Sequence, residues 1–570
     1  MTLTSVRAAL AGKRILLLGG SGFLGKVWLA HLLETVPDVG RVDVVLRGAR
    51  GRASAADARR RWVALLERSP AFHPLHDRHG PALGAWLASR VRPVPGDVAR
   101  PGCGLADGED PDVDLVVNLA GVTGLDPDPR AALAVNADGA VHALEVARRA
   151  GAALLHVSTA YVAGDRLGRI PETLHPDYAP RRGERPDLEF SARREVDDLR
   201  RLLARVAEDA DTQRTRDVLA ERARGRLEAS GRRDTQAARD RFARRERDRW
   251  LREETGQAAR ERARHWGWPN AYVYTKSLGE SLLLERRGAV PLAVARPTIV
   301  ESALEFPFPG WKEGIHTSAP ITFALTHGPL RGLWARGDLL LDVIPVDVVA
   351  RGLTLVAAAL VSGRHAREPG AYHLGAADRN PFPVRRVTEL TNLAHRLAQG
   401  SGTPAARLLR PEAVVVGERG YRLRSLPAVR RLVRGGRAAL SGLLRALPEV
   451  DGVERRVAEP ARALAERARE LERSLDVVEE TVELFRPFIR DQSCVFAAQA
   501  AADLAQGLSA QERATFGFAP EAIDWRRYWL EVQMPGLERW IYPRFRGERP
   551  EPVAPRPVAL PVEEVSCERS

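Results

Sequence analysis

The chain has 570 residues, 44% hydrophobic and 28% charged, which bounds a soluble globular protein of two or more domains with a large buried core. Its net charge of +13 comes without any zinc-finger, homeodomain or RRM pattern, so nucleic acid is not the expected partner. Cys103, Cys494 and Cys567 are too few and too scattered for a disulfide framework or a metal site, no run approaches the ~20 apolar residues of a membrane span, and residues 1–14 lack the apolar stretch of a signal peptide, so a reducing cytoplasm is expected.

Residues 14–18 are an apolar run ending at glycines, the pattern of a buried parallel strand. Residues 23–34 have helical apolar spacing, and 42–46 form a second apolar run, which completes a βαβ unit. Further strand-like runs lie at 91–94 (interrupted by Arg92 and Pro93), 115–119, 154–157 and 292–295, with helical stretches between most of them. The alternation predicts a doubly wound parallel α/β sheet of Rossmann type. Residues 181–264 break the pattern with Arg, Glu, Asp and Ala and no strand signal, and are read as a pair of long charged helices inserted into the sheet domain, against the alternative of a solvated coil. The apolar stretch 353–361 is too short to cross a bilayer. Residues 407–472 are arginine-rich and mostly helical, 484–507 have the spacing of an amphipathic helix, and tryptophans at 525, 529 and 540 mark an aromatic module. The expected division is a reductase domain over 1–395 containing an insertion at 181–265, a mainly helical C-terminal domain over 396–546, and a Pro- and Glu-rich disordered tail over 547–570.

The chemistry-bearing residues fall at the ends of these strands. Gly19, Gly22 and Gly25 are spaced by three, as in extended short-chain reductases; they allow a tight strand-to-helix turn and let amides approach a pyrophosphate at the helix N-terminus. The end of the second strand, where a site preferring NAD usually has an acid, carries Arg47, with Arg50 and Arg52 behind it. A guanidinium suits a 2′-phosphate, so the predicted cofactor is NADPH. Asp97 and Val98 follow a strand where the adenine would lie, and Asn118, Ala120 and Gly121 end the next one, where small residues let the backbone approach the cofactor. Tyr272 and Lys276 stand at i and i+4 and share a helix face, whereas Tyr274 points elsewhere. An ammonium beside a phenol is expected to lower its pKa from about 10 and so improve it as a general acid. An ordinary surface Tyr and Lys on a helix is the competing reading. Thr159 ends a predicted strand as the hydroxyl for the substrate oxygen, with Ser158 in reserve. Among 87 basic residues lysine occurs only at 13, 26, 276 and 312, which suggests that arginine cannot replace Lys276.

Five motifs then resemble, in order, the fatty acyl-CoA reductases, a family of extended short-chain dehydrogenases/reductases, and specifically its bacterial members. They are Gly19-Gly20-Ser21-Gly22-Phe23-Leu24-Gly25-Lys26, Val157-Ser158-Thr159-Ala160-Tyr161, the run from Gly267 through Trp268 to Tyr272 and Lys276, Arg296-Pro297-Thr298 followed by Pro307-Phe308-Pro309-Gly310-Trp311, and Ile344-Pro345-Val346-Asp347. The resemblance implies NADPH-dependent, alcohol-forming reduction of a long-chain acyl-CoA, with acyl carrier protein as a second thioester donor. It implies a Thr159, Tyr272, Lys276 active site and cofactor contacts that also take in Ser21, Phe23, Leu24, Pro297 and Thr298. It includes no metal, and it leaves the oligomeric state open. The long insertion and the middle of the C-terminal part depart from the family. A basic stretch, 422–434, is a place for peripheral contact with the inner membrane, against a solvated helix face. The rival readings are a carrier-protein thioester reductase releasing aldehyde, a sugar-nucleotide epimerase or dehydratase, and a non-enzymatic scaffold with a degenerate site.

Overall fold

Short apolar runs that are buried on both faces become the strands of one parallel sheet. The computed structural model describes residues 2–48, 54–105, 111–183, 189–315, 317–328, 330–398, 412–446, 458–491 and 493–561. Arg50, Arg52, Arg407, Cys567 and parts of the insertion, the arginine-rich stretch and the tail lie outside the described residues. The strands are β1 (Arg14–Leu18), β2 (Arg41–Leu46), β3 (Val91–Pro95), β4 (Leu115–Asn118), β5 (Ala153–Val157), β6 (Leu292–Pro297) and β7 (Gly370–Leu374), in the order β3-β2-β1-β4-β5-β6-β7. Every pairing is parallel. Ile15, Leu17, Val117 and Leu155 face one core and Leu16, Leu18, Val116 and Leu154 the other, because side chains alternate along a strand. β7 was not foreseen: it opens with glycine and carries His373, which bonds the carbonyl of Ala497 through Nδ1 at 2.8 Å, so no apolar run marks it.

Helix α1 (Phe23–Thr35) follows the glycine turn, and α2 (Gly139–Arg149) covers the opposite face. The described residues of the insertion form three helices instead of the expected pair, α3 (Ala192–Ala210), α4 (Gln213–Ala229) and α5 (Gln236–Trp266). Thr212 and Thr235 each cap the following helix and so divide the segment. α3 and the end of α5 bury Val196, Leu199, Leu203, Ala259 and Ala263 in one cluster with Tyr274 and Leu278 of α6 (Ala271–Arg286). α4 and the first half of α5 pair with each other, with Arg226 bonded to Glu246 across them at 2.9 Å.

Residues 353–361 lie within α7 (Val346–Val361), which is buried along most of its length. The C-terminal part contains α8 (Leu426–Ala446) and α9 (Glu459–Arg486), joined by Arg430 to Asp476 at 2.7 Å and by Arg434 to Glu472 at 2.5 Å. Two arginines of the basic 422–434 stretch are therefore engaged within the protein. Residues 484–507 do not form one helix: α9 ends before Pro487, a π-helical turn follows, and Cys494–Phe496 pairs with Gly168–Ile170 as a short strand. One hydrophobic cluster draws on both sides of the boundary expected at 395/396, including Phe382, Leu390, Phe485, Trp529 and Leu537. Of the segment expected to be a tail, Arg556 bonds Asp77 at 2.6 Å, and Val558 and Leu560 pack on the core. No helix among the described residues is long and apolar enough to cross a membrane.

The sheet domain and the C-terminal part are joined at a buried carboxylate. Glu301, fully buried, accepts from Lys312 Nζ at 2.8 Å, Ser318 N at 2.9 Å, Thr317 Oγ1 at 3.1 Å and Gln533 Nε2 at 2.8 Å. Burial pushes this carboxyl up, but the Lys312 ammonium and the Ser318 bonds outweigh it and hold it below its ordinary value. Removing one partner of such a pair leaves the other charge buried and uncompensated. Lys312→Ala is accordingly expected to destabilise the protein by ~3–5 kcal/mol, with partial recovery in Glu301→Gln/Lys312→Met, read from denaturant melts. Equal stability of Lys312→Ala and the parent would overturn this assignment.

Candidate active site

The sheet order reverses between β1 and β4, and open α/β sheets bind ligands outside the strand ends at such a point. Here the glycine turn after β1 faces the segment after β4. Gly19 has φ +83°, and a Cβ there would lie 2.5 Å from Ala120 N; a Cβ at Gly25 would lie 2.3 Å from Gly19 O. Both glycines are therefore needed for the turn to close against the neighbouring strand. Gly22 caps α1 without a side-chain bond, which leaves the first amides of the helix free of a side-chain acceptor.

A cavity of about 440 Å³ opens at this end of the sheet. Of the residues expected to form the site, Gly19, Ser21, Gly22, Phe23, Leu24, Gly25, Gly121, Thr159, Tyr272, Lys276, Pro297 and Thr298 line it together. Five others do not. Asn118 is buried, with Oδ1 accepting from Ala120 N at 3.1 Å and Nδ2 facing His156 Nδ1 at 3.2 Å, so it shapes the backbone behind the cavity. Ala120 offers its carbonyl to Lys276. Asp97 Oδ1 accepts from Ala99 N at 3.1 Å in a local turn, and Val98 is core, packed where a Cβ on Gly139 would touch it. Arg47 is exposed just past β2, and Arg61, which was not foreseen, donates to its carbonyl.

The two tyrosines of α6 have different surroundings. Tyr272 lines the cavity, within reach of the Thr159 hydroxyl. Tyr274 is fully buried on the other side and donates to Glu195 of α3, whose carboxylate is also gripped by Arg262 at 2.7 Å through two bonds. Burial and then Glu195 hold the Tyr274 phenol well above its ordinary pKa.

The expected lowering of the Tyr272 pKa is corrected. Burial pushes the phenol up to about 12, and only the Thr159 hydrogen bond acts against it. The reason is that Lys276 Nζ donates to main-chain carbonyls, Val157 O at 3.0 Å and Ala120 O at 3.2 Å. Burial instead lowers Lys276 to about 8, partly offset by Glu280. Thr159 Oγ1 reaches Pro297 O at a long 3.4 Å, while Ser158 Oγ is buried, unpartnered and on the cavity wall. Thr298 donates to Asp342 at 3.0 Å. His156 is kept neutral by burial and then by Lys276, which removes it as a proton donor.

The sequence reading missed several wall residues. Leu125, Tyr161, Ile299, Phe485 and Phe488 add apolar wall, and Glu313 and Thr317, which follow the 307–311 segment in the chain, add polar groups. Asn136, fully buried, clasps Val122 through both backbone groups and donates to Thr275 at 3.0 Å, holding the loop after β4 to α6. Lys26, which the rarity of lysine had marked, is bonded to Glu313.

Residues 17–353 match an NAD-binding family model described as "Male sterility protein". The chain is 29% identical over 399 residues to the alcohol-forming fatty acyl-CoA reductase of Simmondsia chinensis, covering 69% of this chain and 72% of that protein. It is 28% identical over 552 residues to fatty acyl-CoA reductase 8 of Arabidopsis thaliana, covering 93% of this chain and 97% of that one. A solved structure, the terminal R domain of the myxalamid PKS-NRPS pathway, overlays with a TM-score of 0.45 at 15% identity, over 91% of this chain and 92% of its own. The match over residues 17–353, together with 30% identity over 392 residues to probable fatty acyl-CoA reductase 5 of Arabidopsis thaliana, covering 67% of this chain and 70% of that protein, shows that the chain belongs to the fatty acyl-CoA reductase family.

Proposed function

We propose that this protein reduces long-chain fatty acyl-CoA with NADPH, first to the aldehyde and then to the primary alcohol. The observation that carries this reading is the single cavity in which the glycine turn, Thr159, Tyr272 and Lys276 face an apolar wall. Its glycine side suits a dinucleotide, and its wall of Leu125, Ile299 and phenylalanines suits an alkyl chain. The names of the relatives in Simmondsia and Arabidopsis support a thioester of coenzyme A as substrate, and the first supports the alcohol as product.

The residues divide the work by position. The free amides at the start of α1 and the close approach of Gly19 to Ala120 would hold the pyrophosphate, and Lys276 the nicotinamide ribose. The reduced nicotinamide, when bound, supplies the hydride. Thr159 holds the thioester carbonyl oxygen, with Ser158 as a second hydroxyl on the same wall. Tyr272 donates its proton to that oxygen as the carbon is reduced. The resulting hemithioacetal breaks its C–S bond, returns the proton of its hydroxyl, and releases the thiol of coenzyme A with the aldehyde. The aldehyde is reduced in the same way, so that two NADPH and two protons are consumed for each alcohol.

Three measurements test this. Tyr272→Phe removes only the proton donor and is expected to abolish NADPH oxidation with palmitoyl-CoA while leaving NADPH binding intact. Tyr274→Phe is expected to retain turnover and lose thermal stability, and the opposite pattern would exchange the two tyrosines.

Arg47→Ala is expected to raise the KM for NADPH by about tenfold or more and leave that for NADH unchanged, since charge-assisted bonds contribute roughly 1.5–3 kcal/mol. An equal change for both cofactors would remove Arg47 from specificity.

Tyr272, near 12, stays protonated through the working range, whereas Lys276 loses its proton as pH rises through about 8. The kcat/KM for NADPH is expected to fall above that value. The same shift makes the fold gain stability from this group between about 8 and the ordinary 10.5, because the unfolded chain binds the proton that the folded one has lost. Falling activity with rising or steady melting temperature fits; a flat rate profile through that pH counts against a required ammonium.

A further inference from the structure

The apolar wall of the cavity is assembled from distant parts of the chain. Leu125 follows β4, Tyr161 follows the Thr159 turn, Ile299 follows β6, and Phe485 and Phe488 come from the end of α9 and the π-helical turn after it. Both phenylalanines are more than nine-tenths buried. Their ring centroids are 6.5 Å apart. Phe488 meets Tyr161 edge-on at 4.8 Å and 87°, and Phe496 meets the other side of Tyr161 at 5.2 Å and 81°. The turn itself is pinned: Arg336 N donates to Ile489 O at 3.1 Å, and the Arg490 guanidinium sits 3.6 Å from the centroid of Trp334.

We propose that Phe485 and Phe488 form the closed end of an acyl subsite running from Thr159 past Tyr161, and thereby set the length of alkyl chain that the protein accepts. The inference rests on the acyl reductase reading and names the part of the chain that selects the substrate. Thr159, Tyr272 and Lys276 share the cavity with the apolar wall of Leu125, Tyr161, Ile299, Phe485 and Phe488. A thioester whose carbonyl lies at Thr159 can extend its chain past Tyr161 along that wall. An apolar wall recognises a chain by the area it covers, so selectivity depends on where the wall stops. Two members of this wall are large rings braced by their own neighbours, and a chain that reaches them lengthens only by displacing them. Each buried methylene contributes about 0.8 kcal/mol, or roughly fourfold in affinity, which is enough for one ring to shift a length optimum.

The test compares wild type, Phe485→Ala, Phe488→Ala and Phe488→Trp. Turnover is followed with saturated acyl-CoAs from octanoyl to eicosanoyl, and binding of fluorescent fatty acids of graded length is measured separately. Phe488→Ala and Phe485→Ala are expected to move both optima to longer chains, with roughly tenfold gains for chains two carbons beyond the wild-type optimum relative to that optimum. Phe488→Trp is expected to move both optima shorter. A uniform loss at every length, or no shift in either measurement, overturns the proposal. If an alanine variant does not fold, as read by melting temperature, Phe485→Leu and Phe488→Trp carry the same comparison. A length shift in binding without turnover of any acyl-CoA by wild type would uphold the subsite and reject the reductase reading, so the two fail separately.

Discussion

The buried Glu301 carboxylate constrains the site more than any other single group. A charge removed from water must be matched by a counter-charge and by hydrogen bonds, or it becomes strongly destabilising. Glu301 draws its partners from three places: Lys312 after the Pro-Phe-Pro-Gly-Trp segment, Thr317 and Ser318 before the helix Ala319–Thr326, and Gln533 in the C-terminal part. Gln533 also accepts from Ser302 N at 3.1 Å, so the two parts of the chain are held in register by donors and acceptors that have no alternative partner in water. Asp347 does the same for the start of that segment, accepting from the amides of Leu304, Glu305 and Phe306 at 2.8–3.0 Å. With these two carboxylates satisfied, the 307–311 segment packs on α1, through Phe23 and Trp311 at 5.1 Å, and the C-terminal part contributes Phe485 and Phe488 to the cavity wall.

Lysine marks the places where this packing needs a compact cation. Arginine fills nearly every basic position, yet Lys26, Lys276 and Lys312 are all more than nine-tenths buried. An ammonium is small and directs three donors freely, whereas a guanidinium is a wide planar fork. Lys276 reaches two carbonyls, Val157 at the end of β5 and Ala120 in the segment after β4, beside Gly121, where a Cβ would lie 3.0 Å from its Nζ. Lys312 fits under the Phe23 ring at 5.5 Å while bonding Glu301. Lys13, the fourth, is part-exposed and pairs with Asp114 at 4.0 Å, a contact that asks for no particular shape.

The insertion is tied to the helix carrying Tyr272 and Lys276. Glu195 of α3 is bonded both by Arg262 of α5 and by Tyr274 of α6, and its cluster buries Trp266 and Trp268 beside Phe190. Only α4 and the first half of α5 stand away from this core. The charged composition of 181–264 therefore describes the outer helices and conceals an anchored base.

The sequence by itself determined six of the seven strands of the sheet, the glycine turn and the pair of catalytic candidates on α6. These depend on local periodicity: apolar runs for strands buried on both faces, three-residue glycine spacing for a tight turn, and four-residue spacing for one helical face. Arginine after β2 and the hydroxyls after β5 were legible for the same reason, since strand ends are readable and ligands gather there. Tertiary structure decided what depends on neighbours distant in the chain. It kept Asn118, Asp97 and Val98 out of the cavity lining, gave Lys276 to carbonyls and left Tyr272 with a raised pKa, and separated Tyr272 from Tyr274 by bringing Glu195 to the latter. It also brought Phe485 and Phe488 to the same cavity as Thr159, more than three hundred residues away in sequence, where no local pattern records the proximity. Burial and partner identity control both pKa and recognition, and both are properties of packing that one-dimensional spacing does not carry.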